Sequence, residues 1–185
     1  MMRRFLPCLL FLSCLTGILL LPDAEAAVPV TYKRSDHKAG RYGGAFISAI
    51  VGEPSSFNPL VTNNAQTQEL LKVVFDSLAE ISPDSLTIEP ALAETWTVSK
   101  DALLWKFVLR KGLSWSDGKL LTSRDVLFSL DLFKNNSNSS IWYNHLTALG
   151  LNVEYKAADD RTIEFKLNRP CPNLPIILPP ILPQH

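Results

Sequence analysis

The fold of this chain is decided by the stretch WKFVLRKGLSWSDG, residues 105–118. Large apolar side chains occupy alternate positions from Leu103 to Leu109, which is the period of a strand with one face turned to a core. Asp117-Gly118 predicts a turn, because glycine adopts positive φ without a steric penalty. We therefore expect a half-buried strand over residues 103–110, followed by a tight turn.

A helix is predicted after this turn. Thr122 places a hydroxyl three residues before the carboxylate of Asp125, which is the spacing of a capping box. Apolar residues then recur at helical intervals from Val126 to Phe133. The pattern further predicts a polar loop at 135–140, a short helix at 141–149, and two strands at 153–156 and 162–167 joined by a turn at 158–161.

The residues before this stretch predict another strand and another helix. An apolar run at 45–51 between glycines is typical of a buried strand, and Pro54 and Pro59 force the loop that follows. A helix is expected at about 66–80, because one face carries apolar side chains at helical spacing: Leu70, Leu71, Val74, Phe75 and Leu78. The whole pattern is that of a mixed α/β protein.

The composition limits the classes of protein that fit. The 185 residues are 46% hydrophobic and 19% charged, with 18 basic and 18 acidic residues. A net charge of zero gives no basic surface of the kind that binds nucleic acid, and the apolar content is too high for a disordered chain. We expect a folded protein with no nucleic-acid partner.

The first 26 residues have the layout of a secretory signal peptide. Arg3 and Arg4 precede an apolar run at 5–21, and the small residues Ala24 and Ala26 fit signal peptidase. We predict cleavage near Ala26, with no stable membrane insertion afterwards. An uncleaved anchor and a lipoprotein signal at Leu12-Ser13-Cys14 are the alternatives. Cleavage leaves Cys171 as the only cysteine, so no disulfide can form within the exported chain.

The stretch at residues 170–183 combines many prolines with many Leu and Ile residues. Proline denies hydrogen-bond donors to a sheet interior, while so many apolar side chains do not suit a soluble tail. We therefore expect this segment to be covered by something that the chain does not contain.

Taken in order, the residues resemble the solute-binding proteins of family 5, the extracytoplasmic receptors of peptide-type ABC importers. The resemblance rests on short motifs spread over residues 43–185: Gly43-Gly44, Glu53-Pro54, Phe57-Asn58-Pro59, PALAETW at 90–96, the stretch at 105–118, DVLFS at 125–129 and PILPQH at 180–185. Within them, Leu92, Trp96, Trp105 and Phe107 are expected to be buried core residues. The signature therefore identifies a scaffold more than a site.

The resemblance implies two α/β lobes of the periplasmic-binding-protein type, which close over a ligand, with an extra domain beside the first lobe. We expect residues 1–26 to be the signal peptide, 27–42 an extended lead-in, and 43–185 a partial family 5 domain, truncated at its C-terminus, with the start of lobe one and most of the extra domain. The implied role is periplasmic capture of a peptide or similar solute for an inner-membrane ABC importer, without a cofactor.

One short loop is the candidate ligand-contacting segment. The resemblance places Val61-Thr62-Asn63-Asn64 in a loop that lines the cleft of peptide-binding relatives. Short polar side chains and backbone amides before a helix can hydrogen-bond a peptide main chain. Thr62, Asn63 and Asn64 are therefore the candidate ligand-binding residues, and capping of the next helix by Asn or Thr is the alternative.

No enzyme or metal site is predicted. His37, His145 and His185 are far apart in sequence, and the chain has no HExxH motif, no metal-binding cysteine pair and no glycine-rich phosphate loop. Two classes of function remain: a transport receptor, and a truncated product that binds no ligand and acts at most as a structural or interaction module. We expect the 185-residue chain alone not to bind solute, because tight enclosure needs both lobes.

Overall fold

The structure is a computed structural model that describes residues 43–185 except 46, 48, 50, 51, 55, 63 and 136–139. The predicted signal peptide and lead-in, and most of the predicted polar loop at 135–140, lie outside the described residues. The elements are, in chain order, α1 (Ala65–Val74), β1 (Ala79–Ile81), β2 (Ile88–Pro90), β3 (Ala93–Val98), β4 (Leu104–Leu109), α2 (Ser123–Lys134), α3 (Ile141–Ala148), β5 (Val153–Ala157), β6 (Thr162–Leu167) and α4 (Leu174–Ile177).

A four-stranded antiparallel sheet with the order β3-β4-β6-β5 forms the centre of the fold, and β1 and β2 make a separate antiparallel pair. The strand predicted at 103–110 is β4. Its alternation is confirmed, because Trp105, Phe107 and Leu109 are buried while Leu104 is 53% exposed on the opposite face. The sheet therefore has a core face and an open face.

The core face of the sheet holds an aromatic cluster around Phe107. The ring of this fully buried residue lies 5.8 Å from the ring of Trp96 and 5.4 Å from that of Phe165, measured between centroids. Burial of one such side chain stabilises the fold by about 2 kcal/mol. The amphipathic helix α2 lies against β5 and adds Val126 and Leu130 to the core.

The predicted start of α2 is confirmed. The hydroxyl of Thr122 accepts a hydrogen bond from the first turn, and the carboxylate of Asp125 accepts one from the Thr122 N–H at 2.9 Å, which makes a complete capping box. The predicted turn before it is also present, with Gly118 at φ +85°. The short helix and the last two strands appear as α3, β5 and β6 at the expected positions.

The predicted extent of the first helix is wrong at its end. α1 ends at Val74, because Phe75 adopts an extended conformation and the chain turns into β1, which pairs with β2. Leu78 is buried, although it lies outside the helix, and Val74 is 65% exposed. Pairing with a strand that comes later in the chain has overridden the helical spacing.

The strand predicted at 45–51 falls partly outside the described residues. Of the described positions, Ala45, Ile47 and Ala49 belong to no strand, and Ile47 is 92% exposed, so the prediction of a buried strand is wrong there. No strand within the described ranges pairs with these residues, and a strand needs such a partner to satisfy its backbone groups.

The expectation that residues 170–183 need a cover from outside the chain is also wrong. Leu174 and Ile181 are buried in the chain's own core. The backbone of the segment is held by hydrogen bonds from Ile181 N–H to the Asp76 carbonyl (2.8 Å), from Leu182 N–H to Ser129 Oγ (2.7 Å) and from Gln184 N–H to Asp125 Oδ1 (3.0 Å). Two side chains of α2 and one backbone carbonyl thus supply the acceptors that a sheet would otherwise provide.

Candidate functional site

The candidate loop begins in a turn built by the short polar side chains before it. Ser56 Oγ accepts a hydrogen bond from the Asn58 N–H at 3.1 Å, and Asn58 Oδ1 accepts one from the Leu60 N–H at 3.0 Å. The Val61 N–H donates to the Asn58 carbonyl at 3.3 Å, and the Val61 side chain is 51% exposed. These local bonds set the path of the loop into α1.

Thr62 points into the protein. It is only 1% exposed, and its carbonyl accepts a hydrogen bond from Gln68 Nε2 at 2.9 Å, which ties the loop to the first turns of α1. Its Oγ1 atom is buried and has no hydrogen-bond partner in the described part of the chain. The hydroxyl therefore lies in the interior of the described part of the chain.

Asn64 caps α1. Its Oδ1 atom accepts hydrogen bonds from the Gln66 N–H at 2.9 Å and the Thr67 N–H at 3.3 Å, so the capping geometry that the sequence left open is the one observed. Asn63 lies outside the described residues. The structure thus places Thr62 and Asn64 in one loop and shows both of them organising the entry to the helix.

Sequence reasoning missed a concave surface, which we call the sheet groove. It has a volume of about 790 Å³ and lies at the open face of the four-stranded sheet, and its lining includes Val98, Lys100, Leu104, Lys106 and Lys156. The groove joins the pair β3 and β4 to the pair β5 and β6, which are far apart in sequence, so no local pattern indicates it.

Two titratable groups in the region of the four-stranded sheet have shifted pKa values. Burial, and to a smaller extent the 2.6 Å hydrogen bond from its hydroxyl to Asp131, raise the pKa of Tyr155 above its ordinary value. Hydrogen bonds from the Ser99 hydroxyl and the Leu103 N–H lower the pKa of Asp101. Both groups therefore keep their usual protonation state at neutral pH.

The described residues contain neither a metal-binding cluster nor a membrane-spanning helix. No group of three or more His, Cys, Asp or Glu side chains there could hold a metal ion. None of the helices in the same part of the chain is long and apolar enough to cross a membrane.

Residues 87–185 match the family model described as bacterial extracellular solute-binding proteins, family 5 middle region. The chain is 35% identical over 134 residues to the dipeptide-binding protein of Escherichia coli, a match that covers 64% of this chain and 25% of that protein. It is 28% identical over 169 residues to a putative ABC transporter peptide-binding protein of Brucella ovis, covering 90% of this chain and 31% of the relative. The chain thus spans between a quarter and a third of the length of these relatives.

The fold is similar to that of solved family structures. NikZ of Campylobacter jejuni, determined in complex with Ni(L-His), superposes with a TM-score of 0.62 at 27% identity, covering 72% of this chain and 26% of that one. The predicted fold class, a part of the periplasmic-binding-protein fold, is confirmed by this likeness. Since the family model covers more than half of the sequence, the chain belongs to family 5 of the bacterial extracellular solute-binding proteins.

Proposed function

We propose that this chain is part of the extracytoplasmic substrate-binding component of a peptide-type ABC importer, which captures a peptide or similar solute. The observation that carries the proposal is the family 5 match over residues 87–185, with the 35% identity to a dipeptide-binding protein. The Brucella ovis relative, named as an ABC transporter protein, supports an inner-membrane importer as the partner. The family is described by solute binding and not by a reaction, which supports a non-enzymatic role without a cofactor.

The proposed site of action is the periplasm. The basic start, the apolar run and Ala24 and Ala26 support export with cleavage near Ala26. In this proposal residues 1–26 are the signal peptide, 27–42 an extended lead-in and 43–185 the partial family 5 domain.

The proposed ligand contact is the loop that holds Thr62, Asn63 and Asn64. Since the Thr62 carbonyl binds Gln68 and Asn64 Oδ1 caps α1, these two residues act by shaping the loop, and the backbone amides before the helix meet the solute. The exposed Val61 side chain offers an apolar contact beside them.

Peptide uptake by the source bacterium tests the proposal. Deletion of the gene should lower the uptake of radiolabelled dipeptides and tripeptides, and a plasmid copy should restore it. Unchanged uptake of every peptide would refute the transport role. Calorimetric titration of the purified chain with the same peptides tests the expectation that these 185 residues alone do not bind solute. Saturable heat would contradict that expectation and assign capture to these residues.

A further inference from the structure

The open face of the four-stranded sheet presents an exposed leucine among lysines. Leu104 is 53% exposed, and Lys106 follows it two residues later on the same face of β4. Lys166 lies directly across from Leu104 on β6. Lys100, from the turn between β3 and β4, lines the same groove, so an apolar surface is bordered by cations on several sides.

The lysines of the sheet groove exceed its carboxylates. Four lysines line it, at positions 100, 106, 156 and 166, against two glutamates at 154 and 164. Glu164 is shared, because it lies 3.1 Å from Lys156 Nζ but 3.9 Å from Lys106 Nζ. Lys166 is paired with Glu154 at 3.7 Å. Lys106 therefore makes only a long ion pair with Glu164, and Lys100 has no ion pair with another described residue.

The turn that carries Lys100 is held in place by hydrogen bonds. The Ser99 N–H donates to the Leu104 carbonyl at 2.9 Å, the Ala102 N–H donates to the Ser99 carbonyl at 2.9 Å, and Trp105 Nε1 donates to the Ala102 carbonyl at 3.2 Å. Ala102 itself has φ +55°, a conformation that costs about 1 kcal/mol for a residue with a Cβ. The backbone at this end of the groove is thus fixed before any ligand arrives.

We propose that the sheet groove binds a small amphipathic monocarboxylate. The apolar body of the ligand lies over Leu104, and its carboxylate is held by Lys100 and Lys106. The volume of about 790 Å³ is within the range of small-molecule sites, which combine an apolar lining with a few polar groups. The excess of positive charge selects an anion over a cation with the same apolar body. This site does not depend on the transport role proposed above.

Octanoate is the probe for this site, and binding to the full chain is followed by two-dimensional NMR. Saturable shifts are expected in residues 97–106, 154–156 and 164–166. Acetate, which lacks the apolar body, and octyltrimethylammonium, which reverses the charge, should bind at least about tenfold more weakly. Added salt should weaken octanoate binding, since the contacts are exposed.

The double variant Lys100→Gln/Lys106→Gln should weaken octanoate binding at least about tenfold. Lys72→Gln on α1, outside the groove, is the matched control and should leave the affinity unchanged. All three lysines are exposed, so the variants should fold, which far-UV circular dichroism checks. Equal binding of the octyl cation, unchanged affinity of the double variant, or no saturable shift with octanoate would each overturn the proposal.

Discussion

Replacement of Thr62 by Val tests whether its buried hydroxyl contributes to the stability of the fold. The side chain is 1% exposed and its Oγ1 has no hydrogen-bond partner among the described residues. A buried hydroxyl without a partner costs about 1–3 kcal/mol, whereas valine has nearly the same shape and no polar atom to desolvate. We expect Thr62→Val to raise the free energy of unfolding by about 1 kcal/mol.

The assay is urea unfolding of the full chain followed by circular dichroism, with Ser129→Ala as the control. Ser129 is equally buried, but its Oγ accepts from the Leu182 N–H and donates to the Asp125 carbonyl, each at 2.7 Å. The control should therefore lose about 1–3 kcal/mol, because a buried N–H is left without an acceptor. A loss of stability in Thr62→Val comparable to that of the control would refute the reasoning, since the hydroxyl would then have a partner.

Three other changes have defined outcomes. Asp125→Ala should cost about 2–4 kcal/mol in urea unfolding, because the carboxylate accepts from the Thr122 and Gln184 N–H groups, whereas the exposed Asp160→Ala should change stability little. Because the pKa of Tyr155 is raised in the folded chain, the unfolded chain loses this proton first as the pH rises. The free energy of unfolding should therefore be independent of this group below about pH 10 and should fall above it. Tyr155→Phe should remove that part of the decrease with pH, and an unaltered decrease would contradict the assignment. Mass spectrometry of the protein from the cell envelope should show an N-terminus at Ala27, and a retained Met1 would count against cleavage.

The parts of the fold that were predicted correctly are those decided within a few residues. The alternation from Leu103 to Leu109 depends on neighbours two positions apart, and the capping box of α2 on residues three apart, so both patterns are visible in the sequence. The end of α1 was not, because Leu71 and Leu78 have helical spacing whether or not the helix continues. Pairing of β1 with β2, a later part of the chain, decides that point.

In the candidate site, too, features that depend on neighbouring residues could be predicted and those that depend on distant residues could not. Capping by Asn64 involves only the next three residues and was among the alternatives that the sequence offered. The sheet groove was not visible, because Lys106 and Glu164 become neighbours only when β4 and β6 pair. The proline and leucine content of residues 174–182 likewise could not show that this segment packs on the core.

Asp125 and Ser129 explain why separate weak motifs identify this scaffold together. Both belong to the motif at 125–129, and each binds the backbone of the motif at 180–185: Ser129 Oγ accepts from the Leu182 N–H, and Asp125 Oδ1 accepts from the Gln184 N–H. The same Asp125 carboxylate also completes the local capping box of α2. A carboxylate and a hydroxyl at these positions thus satisfy the backbone of a proline-rich segment that has no strand partner among the described residues. Two stretches more than fifty residues apart therefore form one structural unit, and their joint presence says more about the fold than either motif alone.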